Sequence, residues 1–274
     1  MRFQAYLSPI LGVLLWAMPA SGQYRVPAPQ TYRFVSDLGN GAGIFVNPGA
    51  SGFFSATLLT GNITFDRPED SGWKVGQWLF GLQWGPLGLG YVHDEYHDTT
   101  GFSQGDNYTV SAGFAAKGNG IGGARTWRTV GDSENSWDIG YLFVSQSGVS
   151  LGLTWRDIGS PVVRDTVLDE RVVGSISFRE AREGKFTLSV QGDYKTKEND
   201  FRAFRIGGSV KIMQSVELLA QAQWNGNGDF DGFQIGVYVS SSSAMFSGVA
   251  GLESTGDVRL GNAGASFMGQ RTGL

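Results

Sequence analysis

The residue types that most often bind metals are concentrated in "YVHDEYHDTT", residues 91–100. This stretch holds both histidines of the chain, His93 and His97, among several carboxylates. On an extended strand, two residues four apart share a face but lie about 13 Å apart. Binding of one ion by both imidazoles would need a sharp turn between them. The sequence therefore favours a solvated acidic loop over a metal site, and we expect no metal and no cofactor.

Two glycine-rich stretches resemble ligand-binding motifs. "GNGIGG", residues 118–123, matches G-x-G-x-x-G, but "ARTWRTV" after it has the pattern of a strand, whereas a dinucleotide site needs a helix there. "NGNGDFDG", residues 225–232, spaces its polar residues like the start of a calcium loop but lacks the closing Glu. The sequence also lacks the G-x-S-x-G elbow of many hydrolases. We therefore expect two ordinary turns, no catalytic residues and no enzymatic activity.

The overall composition favours a large β structure. The chain has 274 residues, of which 42 are Gly, with 13% aromatic and 17% charged residues and no Cys. No collagen period accompanies the glycines, and Val, Phe, Trp and Ser are frequent. The absence of Cys excludes disulfides and thiolate zinc sites. A net charge of -4 provides no basic surface for nucleic acid, which we exclude as a partner.

The N-terminal residues have the features of a secretory signal peptide. Arg2 precedes an apolar stretch at residues 10–16, and "AMPASGQ" then offers small residues for cleavage. The apolar stretch is shorter than the roughly 20 residues that a membrane-spanning helix needs. We predict a signal peptide over residues 1–22, with a buried N-terminal helix as the alternative. The mature protein is then either soluble outside the cytoplasm or crosses a membrane by other means.

Apolar residues alternate with polar or small ones along most of the remaining chain. In "FRIGGSVKI", Phe204, Ile206 and Val210 share one face, and Arg205 and Ser209 share the other. This period of two predicts β-strands, and ten residues is the length that a tilted strand needs to cross a bilayer. Fourteen such segments lie near 53–65, 74–84, 86–95, 107–117, 120–130, 136–146, 148–158, 169–180, 184–195, 200–212, 214–224, 230–240, 243–252 and 258–268.

The connections between these segments alternate between tight turns and longer polar loops. This sorting, with an even strand count, is typical of outer-membrane barrels. Aromatic residues also cluster beside the longer loops, as in an interfacial girdle: Tyr91, Tyr108, Trp127, Trp137, Trp155, Tyr194, Phe201, Trp224 and Phe230. We predict an all-β protein whose residues 53–274 form a 14-stranded antiparallel up-and-down transmembrane β-barrel. A soluble secreted β-sandwich, with these aromatics in its core, is the alternative.

Two short stretches resemble a known superfamily. In "GNGAGIFVNPGASGFF", residues 39–54, Asn47, Pro48 and Gly49 resemble the Asn-Pro-Ala element of the long-chain fatty acid transporter (FadL) superfamily. "LGLTWRDIGSP", residues 151–161, is similar to a strand ending in Asn-x-Gly in PorV/PorQ-like barrels, with Asp157 replacing Asn. The resemblance implies fourteen strands, an N-terminal segment folded into the barrel, and either transport of hydrophobic compounds or service to a secretion system.

The interior of a barrel this wide must be filled or left open. Residues 23–52 have an irregular pattern and suit a plug-like segment at the periplasmic mouth, with a flexible tail as the alternative. Strand parity also directs several charged residues inward, where they would either attract an anion such as a fatty carboxylate or pair with one another and with the plug. The lumen candidates are Arg128, Arg156, Arg171, Arg179, Lys185, Arg205, Lys211, Asp138, Asp193 and Glu217.

These features lead to two hypotheses about function. The first is a non-enzymatic outer-membrane channel or transporter for hydrophobic or amphipathic small molecules. The second is a PorV-like accessory barrel that binds secretion or surface-anchoring partners and transports nothing itself. Both place the protein in the cell outer membrane, in contact with its lipids.

Overall fold

The computed structural model of the chain describes residues 32–38, 42–67, 72–98, 101–129, 134–163, 166–180 and 184–269. The predicted signal peptide lies outside these ranges and stays a prediction. Within them, no helix is long and apolar enough to span a membrane.

Fourteen antiparallel strands close into a barrel, as the sequence predicted. Each strand pairs with its neighbours along the chain, and the first also pairs with the last. The barrel strands are β1 (Thr57–Asp66), β2 (Lys74–Trp84), β3 (Leu87–Asp98), β4 (Gly101–Ala116), β5 (Asn119–Arg128), β6 (Glu134–Val144), β7 (Val149–Ile158), β10 (Arg171–Arg179), β11 (Phe186–Lys195), β12 (Asp200–Met213), β13 (Val216–Asn225), β14 (Phe230–Ser240), β15 (Ala244–Glu253) and β16 (Val258–Met268). The two-residue strands β8 (Val162–Val163) and β9 (Thr166–Val167) form a separate hairpin.

The two faces of the barrel wall differ in polarity. In β1, Thr60, Asn62 and Thr64 are buried and face the lumen, whereas Leu59 and Ile63 are exposed on the outside. The same alternation holds in β7, where Leu151 is exposed outside. Because successive side chains of a strand point to opposite faces, the closed sheet has an apolar exterior and a largely polar lumen.

The two ends of the barrel differ in their connections. At one end, here the turn end, tight links join the strands; Lys117 and Gly118 both have positive φ, of 50° and 80°, as a two-residue type I′ hairpin requires. Most of the longer connections lie at the opposite end, here the loop end. Both Thr57, which begins β1, and Met268, which ends β16, lie at the turn end.

The structure differs from the predicted segments in three places. β1 begins at Thr57 instead of residue 53, because the preceding residues form a short helix inside the barrel. The stretch predicted as a polar loop at residues 96–106 is mostly strand, with His97 paired to Phe102. Backbone pairing therefore continues through this polar stretch as far as Asp98 and Gly101. The connection at residues 158–169 contains the β8–β9 hairpin.

The closing seam between β1 and β16 is polar on its lumen side. Asn62 and Asn262 exchange amide hydrogen bonds of 2.7 and 2.5 Å between Nδ2 and Oδ1. Thr60 and Ser266 hydroxyls lie 2.8 Å apart, and Asn262 Nδ2 donates to Thr64 Oγ1 at 2.9 Å. These side chains tie the first strand to the last inside the barrel.

Candidate functional site

The lumen holds part of the chain that precedes β1. Residues 32–38 and 42–53, here called the inner segment, include the helix α1 (Ala42–Phe45) and a 3-10 helix (Pro48–Phe53). Four apolar residues of the segment pack with two of the barrel wall: Val35, Ala42, Val46 and Ala50 with Leu142 and Val173. The inner segment therefore has a hydrophobic core of its own with the wall.

Asn47 fixes the bend of the inner segment at the start of the 3-10 helix. Its side-chain Oδ1 accepts a hydrogen bond from the backbone N–H of Gly49 at 2.9 Å. Its Nδ2 donates to the carbonyls of Val35, at 2.7 Å, and Tyr141 in the wall, at 3.0 Å. Pro48 follows as the first helical residue, where its missing N–H costs nothing. The Asn-Pro-Gly element is thus a buried bracket between two parts of the segment and the barrel.

A glycine-lined surface on β5, β6 and β7 lets this bracket lie directly against the wall. A Cβ atom on Gly140 would lie 2.1 Å from Asn47 Oδ1, and one on Gly122 would lie 2.2 Å from the Pro48 carbonyl oxygen. A Cβ on Gly152 would lie 2.1 Å from the Val35 carbonyl oxygen. These distances are far below van der Waals contact. The inward glycines therefore create the groove in which the inner segment sits.

The beginning of the inner segment contacts the opposite wall. Tyr32 packs with Leu219 and Val249, and Asn62 Nδ2 lies 3.4 Å from the Tyr32 hydroxyl. The Arg33 guanidinium carbon lies 5.6 Å from the Tyr32 ring centroid and 5.8 Å from that of Tyr238. The segment consequently reaches across the lumen from one wall to the other.

Polar contacts fix the segment between these two walls. Val35 N donates to Gln191 Oε1 at 3.0 Å, and the Ser36 and Ser177 hydroxyls lie 2.6 Å apart. Burial raises the pKa of the Asp37 carboxyl, although a hydrogen bond from Phe34 N, at 2.9 Å, opposes this shift. The lumen wall thus provides partners for Val35 N–H and the Ser36 hydroxyl, and Asp37 provides one for Phe34 N–H.

Above the inner segment, toward the loop end, arginine and aspartate side chains form a network of ion pairs. The Asp157 carboxylate lies 2.9 Å from Arg128 Nη2 and 3.5 Å from Arg171 Nε. Arg171 Nη1 in turn lies 2.9 Å from Asp193 Oδ2. The network therefore links β5, β7, β10 and β11 across the lumen face of the wall.

A β-bulge places Asp157 in this network. Asp138 of β6 lies opposite two residues of β7, Arg156 and Asp157, instead of one. Asp157 has a φ of 53°, which Asp and Asn tolerate better than other non-glycine residues. Its N–H donates to Asp138 Oδ1 at 2.9 Å. Because of the bulge, Arg156 and Asp157 both point inward, and Arg156 Nη2 donates to the Val46 carbonyl of the inner segment.

The structure divides the predicted lumen candidates into two groups. Arg128, Arg156, Arg171 and Arg205 lie together on the loop side, and the Arg205 guanidinium lies over the Phe34 ring. Arg179, Lys185, Lys211 and Glu217 lie near the turn end, where Ser209 Oγ donates to Glu217. Asn47, Pro48 and Gly49 lie in the bracket described above.

Asp157 and Arg33 contribute to the lumen but were absent from the predicted set. Parity in β7 assigned Asp157 to the outer face, and Arg33 belongs to a segment without regular periodicity. The residue type of Asp157 was the available signal, because Asp and Asn are enriched among the non-glycine residues that adopt a positive φ. No pattern in the sequence pointed to Arg33.

The metal and nucleotide motifs have ordinary structural roles. His93 lies on the outer face, with Nδ1 2.8 Å from Asp106 Oδ1. No group of three or more metal-binding side chains occurs in the described ranges. Gly118 lies in a turn and β5 follows it, so no helix completes the dinucleotide motif. In the loop after β13, Asn225 Oδ1 accepts from the N–H groups of Asn227 and Asp229, forming an Asx-type turn.

No protein-family model and no curated protein matches the chain. Solved structures do match it. The CymD monoaromatic hydrocarbon channel aligns with a TM-score of 0.59 and 10% identity, over 88% of this chain and 96% of that chain. The likeness is one of fold. Two engineered variants of the Rhodopseudomonas blastica porin align with TM-scores of 0.45 at 8% and 7% identity, over 78% of this chain and 99% of each porin.

Proposed function

We propose that this protein is an outer-membrane barrel that passes hydrophobic or amphipathic small molecules and that its inner segment controls the passage. The observation that carries this proposal is the distribution of polarity on a closed sheet. The exterior carries apolar side chains such as Phe114 and Ile121, whereas the lumen carries hydroxyls, amides and ion pairs. A closed barrel satisfies all its backbone hydrogen bonds internally, which hydrocarbon requires.

The outward aromatics at the loop end support this orientation in a membrane. Trp127, Trp137 and Trp155 are exposed on the outer face, and Tyr91 packs against Tyr108 with ring centroids 5.3 Å apart. Such amphipathic rings favour the level of the lipid headgroups. The loop end would then face the cell exterior and the turn end the periplasm.

The arginine–aspartate network suggests how the lumen treats a ligand. Its guanidiniums are paired with carboxylates, and Arg156 also binds a carbonyl of the inner segment. An amphipathic molecule with an anionic group could replace such a contact, because guanidinium binds carboxylates in the same geometry. We therefore propose Arg128, Arg156, Arg171 and Arg205 as the residues that contact the anionic group of a ligand in the lumen.

A direct test is uptake into vesicles that contain the purified protein. We expect the protein to speed the entry of a small aromatic hydrocarbon and a short-chain fatty acid relative to protein-free vesicles, and to have little effect on the entry of a large sugar. Equal uptake with and without protein, in vesicles where the barrel has folded, would contradict the channel. Folding is checked in the same samples by heat-modifiable gel migration.

The second candidate function is an accessory barrel that binds a secretion partner. The observation favouring it is the occupied lumen, where the inner segment contacts both walls through Tyr32 and Asn47. Retention of a secreted cargo domain by the immobilised protein, together with no uptake of any solute, would support this candidate over the channel.

Substitution on the outer face tests the membrane environment itself. Leu153, at the middle of β7, is exposed on the outside. If it contacts acyl chains, Leu153→Arg should lower the free energy of unfolding in lipid by about 2–4 kcal/mol. Gln146→Arg, in the exposed turn before β7, should change it by less than about 0.5 kcal/mol. Urea titrations of refolding into vesicles measure both, and equal effects would contradict a lipid-facing Leu153.

A further inference from the structure

An arginine lies on the outer face of the barrel between two tryptophans. In β5, Ala124 is buried toward the lumen, so Arg125 points outward, as do the exposed Ile121 and Trp127. Across the β5–β6 pair, Arg125 lies directly opposite Trp137. Its guanidinium carbon is 5.1 Å from the ring centroid of Trp127 and 5.1 Å from that of Trp137. The cation is thus held by the π-faces of two indoles.

Among the residues that the structure describes, this guanidinium has no anionic partner. Within the described ranges, no carboxylate lies within ion-pair distance of Arg125, and its Nε is buried without a hydrogen bond. The outward carboxylate of Asp106 on the neighbouring strand differs, because the Tyr91 hydroxyl and His93 both contact it, at 2.7 and 2.8 Å. On the barrel exterior, the Asp106 carboxylate therefore has polar partners, whereas the Arg125 guanidinium contacts only aromatic rings.

The position of Arg125 suggests the missing partner. It lies two residues from Trp127, about 7 Å along the strand toward the middle of the barrel. Tryptophans favour the headgroup level, and an unpaired cation on a lipid-facing wall is costly below that level. The anion available at this depth is the phosphate of a membrane lipid. The guanidinium presents several donors in one plane, a geometry that matches phosphate oxygens.

We propose that Arg125, Trp127 and Trp137 form a binding site for the phosphate group of an anionic lipid in the leaflet at the loop end. This inference rests on the proposed insertion of the barrel into a membrane. Arg125 supplies the charge and donors, while the two indoles orient the guanidinium and contact the first part of the acyl chains.

Native mass spectrometry of the folded protein in detergent tests the proposal, with lipid A as the anionic lipid and phosphatidylcholine as the reference. We expect wild type to retain lipid A in preference to phosphatidylcholine. Loss of a charge-assisted interaction should weaken lipid A binding about tenfold in Arg125→Gln. Arg125→Lys keeps the charge without the planar donors, and its affinity for lipid A should be about threefold lower than that of wild type. Lys197→Gln, in an exposed loop-end connection, removes an equal charge elsewhere and should bind as wild type does.

Each other outcome has a defined meaning. Equal retention of lipid A by wild type and Arg125→Gln would overturn the proposed site while leaving the channel intact. If Arg125→Gln does not fold, unchanged binding by Arg125→Lys would overturn the site as well. Binding of inorganic phosphate that is equally sensitive to Arg125, in lipid-free micelles, would replace the lipid by a soluble anion. Wild type that fails to show heat-modifiable migration would overturn the membrane proposal itself.

Discussion

Gly140→Val is expected to open the lumen and to raise ion conductance by about tenfold or more, the difference between a filled barrel and a water channel. Even the first side-chain carbon at this position would lie 2.1 Å from Asn47 Oδ1 and 2.8 Å from Pro48 Cδ. The wall cannot yield, because Gly140 lies in β6 with paired strands on both sides. The inner segment must therefore leave its groove.

Planar bilayer recordings of single barrels provide the measurement. Gly123→Val is the matched control, because a Cβ at Gly123, on the neighbouring strand, has only a carbonyl oxygen near it, at 3.8 Å. We expect this control variant to have the same low ion conductance as wild type. Unchanged conductance in folded Gly140→Val would mean that the bracket does not close the lumen.

The same gate can be tested from the inner segment. Asn47→Ala adds no volume but removes three hydrogen bonds from a fully buried site. Each unsatisfied buried group costs about 1–3 kcal/mol, so the open state should become much more populated. Similar recordings from Gly140→Val and Asn47→Ala would show that both act on the position of the segment and not on the wall.

Asp157→Asn is expected to lower the free energy of unfolding by about 3 kcal/mol, because removal of one partner leaves buried charge uncompensated. The Asp157 side chain is only 12% exposed, and two guanidiniums share its carboxylate. Asn retains the size of Asp and tolerates the positive φ at this position. The substitution therefore removes the negative charge while the backbone conformation of the bulge is kept.

Urea unfolding in lipid vesicles measures this effect. Asp229→Asn removes the same charge from an exposed loop and should change stability by less than about 0.5 kcal/mol. If the two variants were equally stable, the network would contribute nothing to the fold, and the arginines would be free to serve a ligand alone.

The barrel was predictable because its signal is repeated along the chain. Each strand carries the same alternation, and each inward side chain is set by parity with its neighbours, as for Arg205 in β12. Counting the alternating segments between turn signals then gave the strand number. Local errors, such as the loop predicted at residues 96–106, did not affect the closed topology.

The site in the lumen was less predictable because it depends on places where the two-residue alternation of the strands is interrupted or where glycine replaces a side chain. Parity alone assigns Asp157 to the outer face, and only the bulge opposite Asp138 brings it inside. The docking of Asn47 depends on glycines such as Gly122 and Gly140, which come together only when β5 and β6 pair. The amino-acid composition shows only that the chain is rich in glycine, and it does not indicate that these glycines line one groove.

The polar seam between β1 and β16 has a consequence for assembly. The strand that seals the cylinder follows every other barrel strand in the sequence, and its Asn262 meets the same Asn62 that Tyr32 approaches from inside. Because synthesis proceeds from the N-terminus, the inner segment is complete before β16, the strand that closes the barrel, has been made. The inner segment need not enter a barrel that has already closed, because the sheet can form around the segment and close when its last strand pairs with its first.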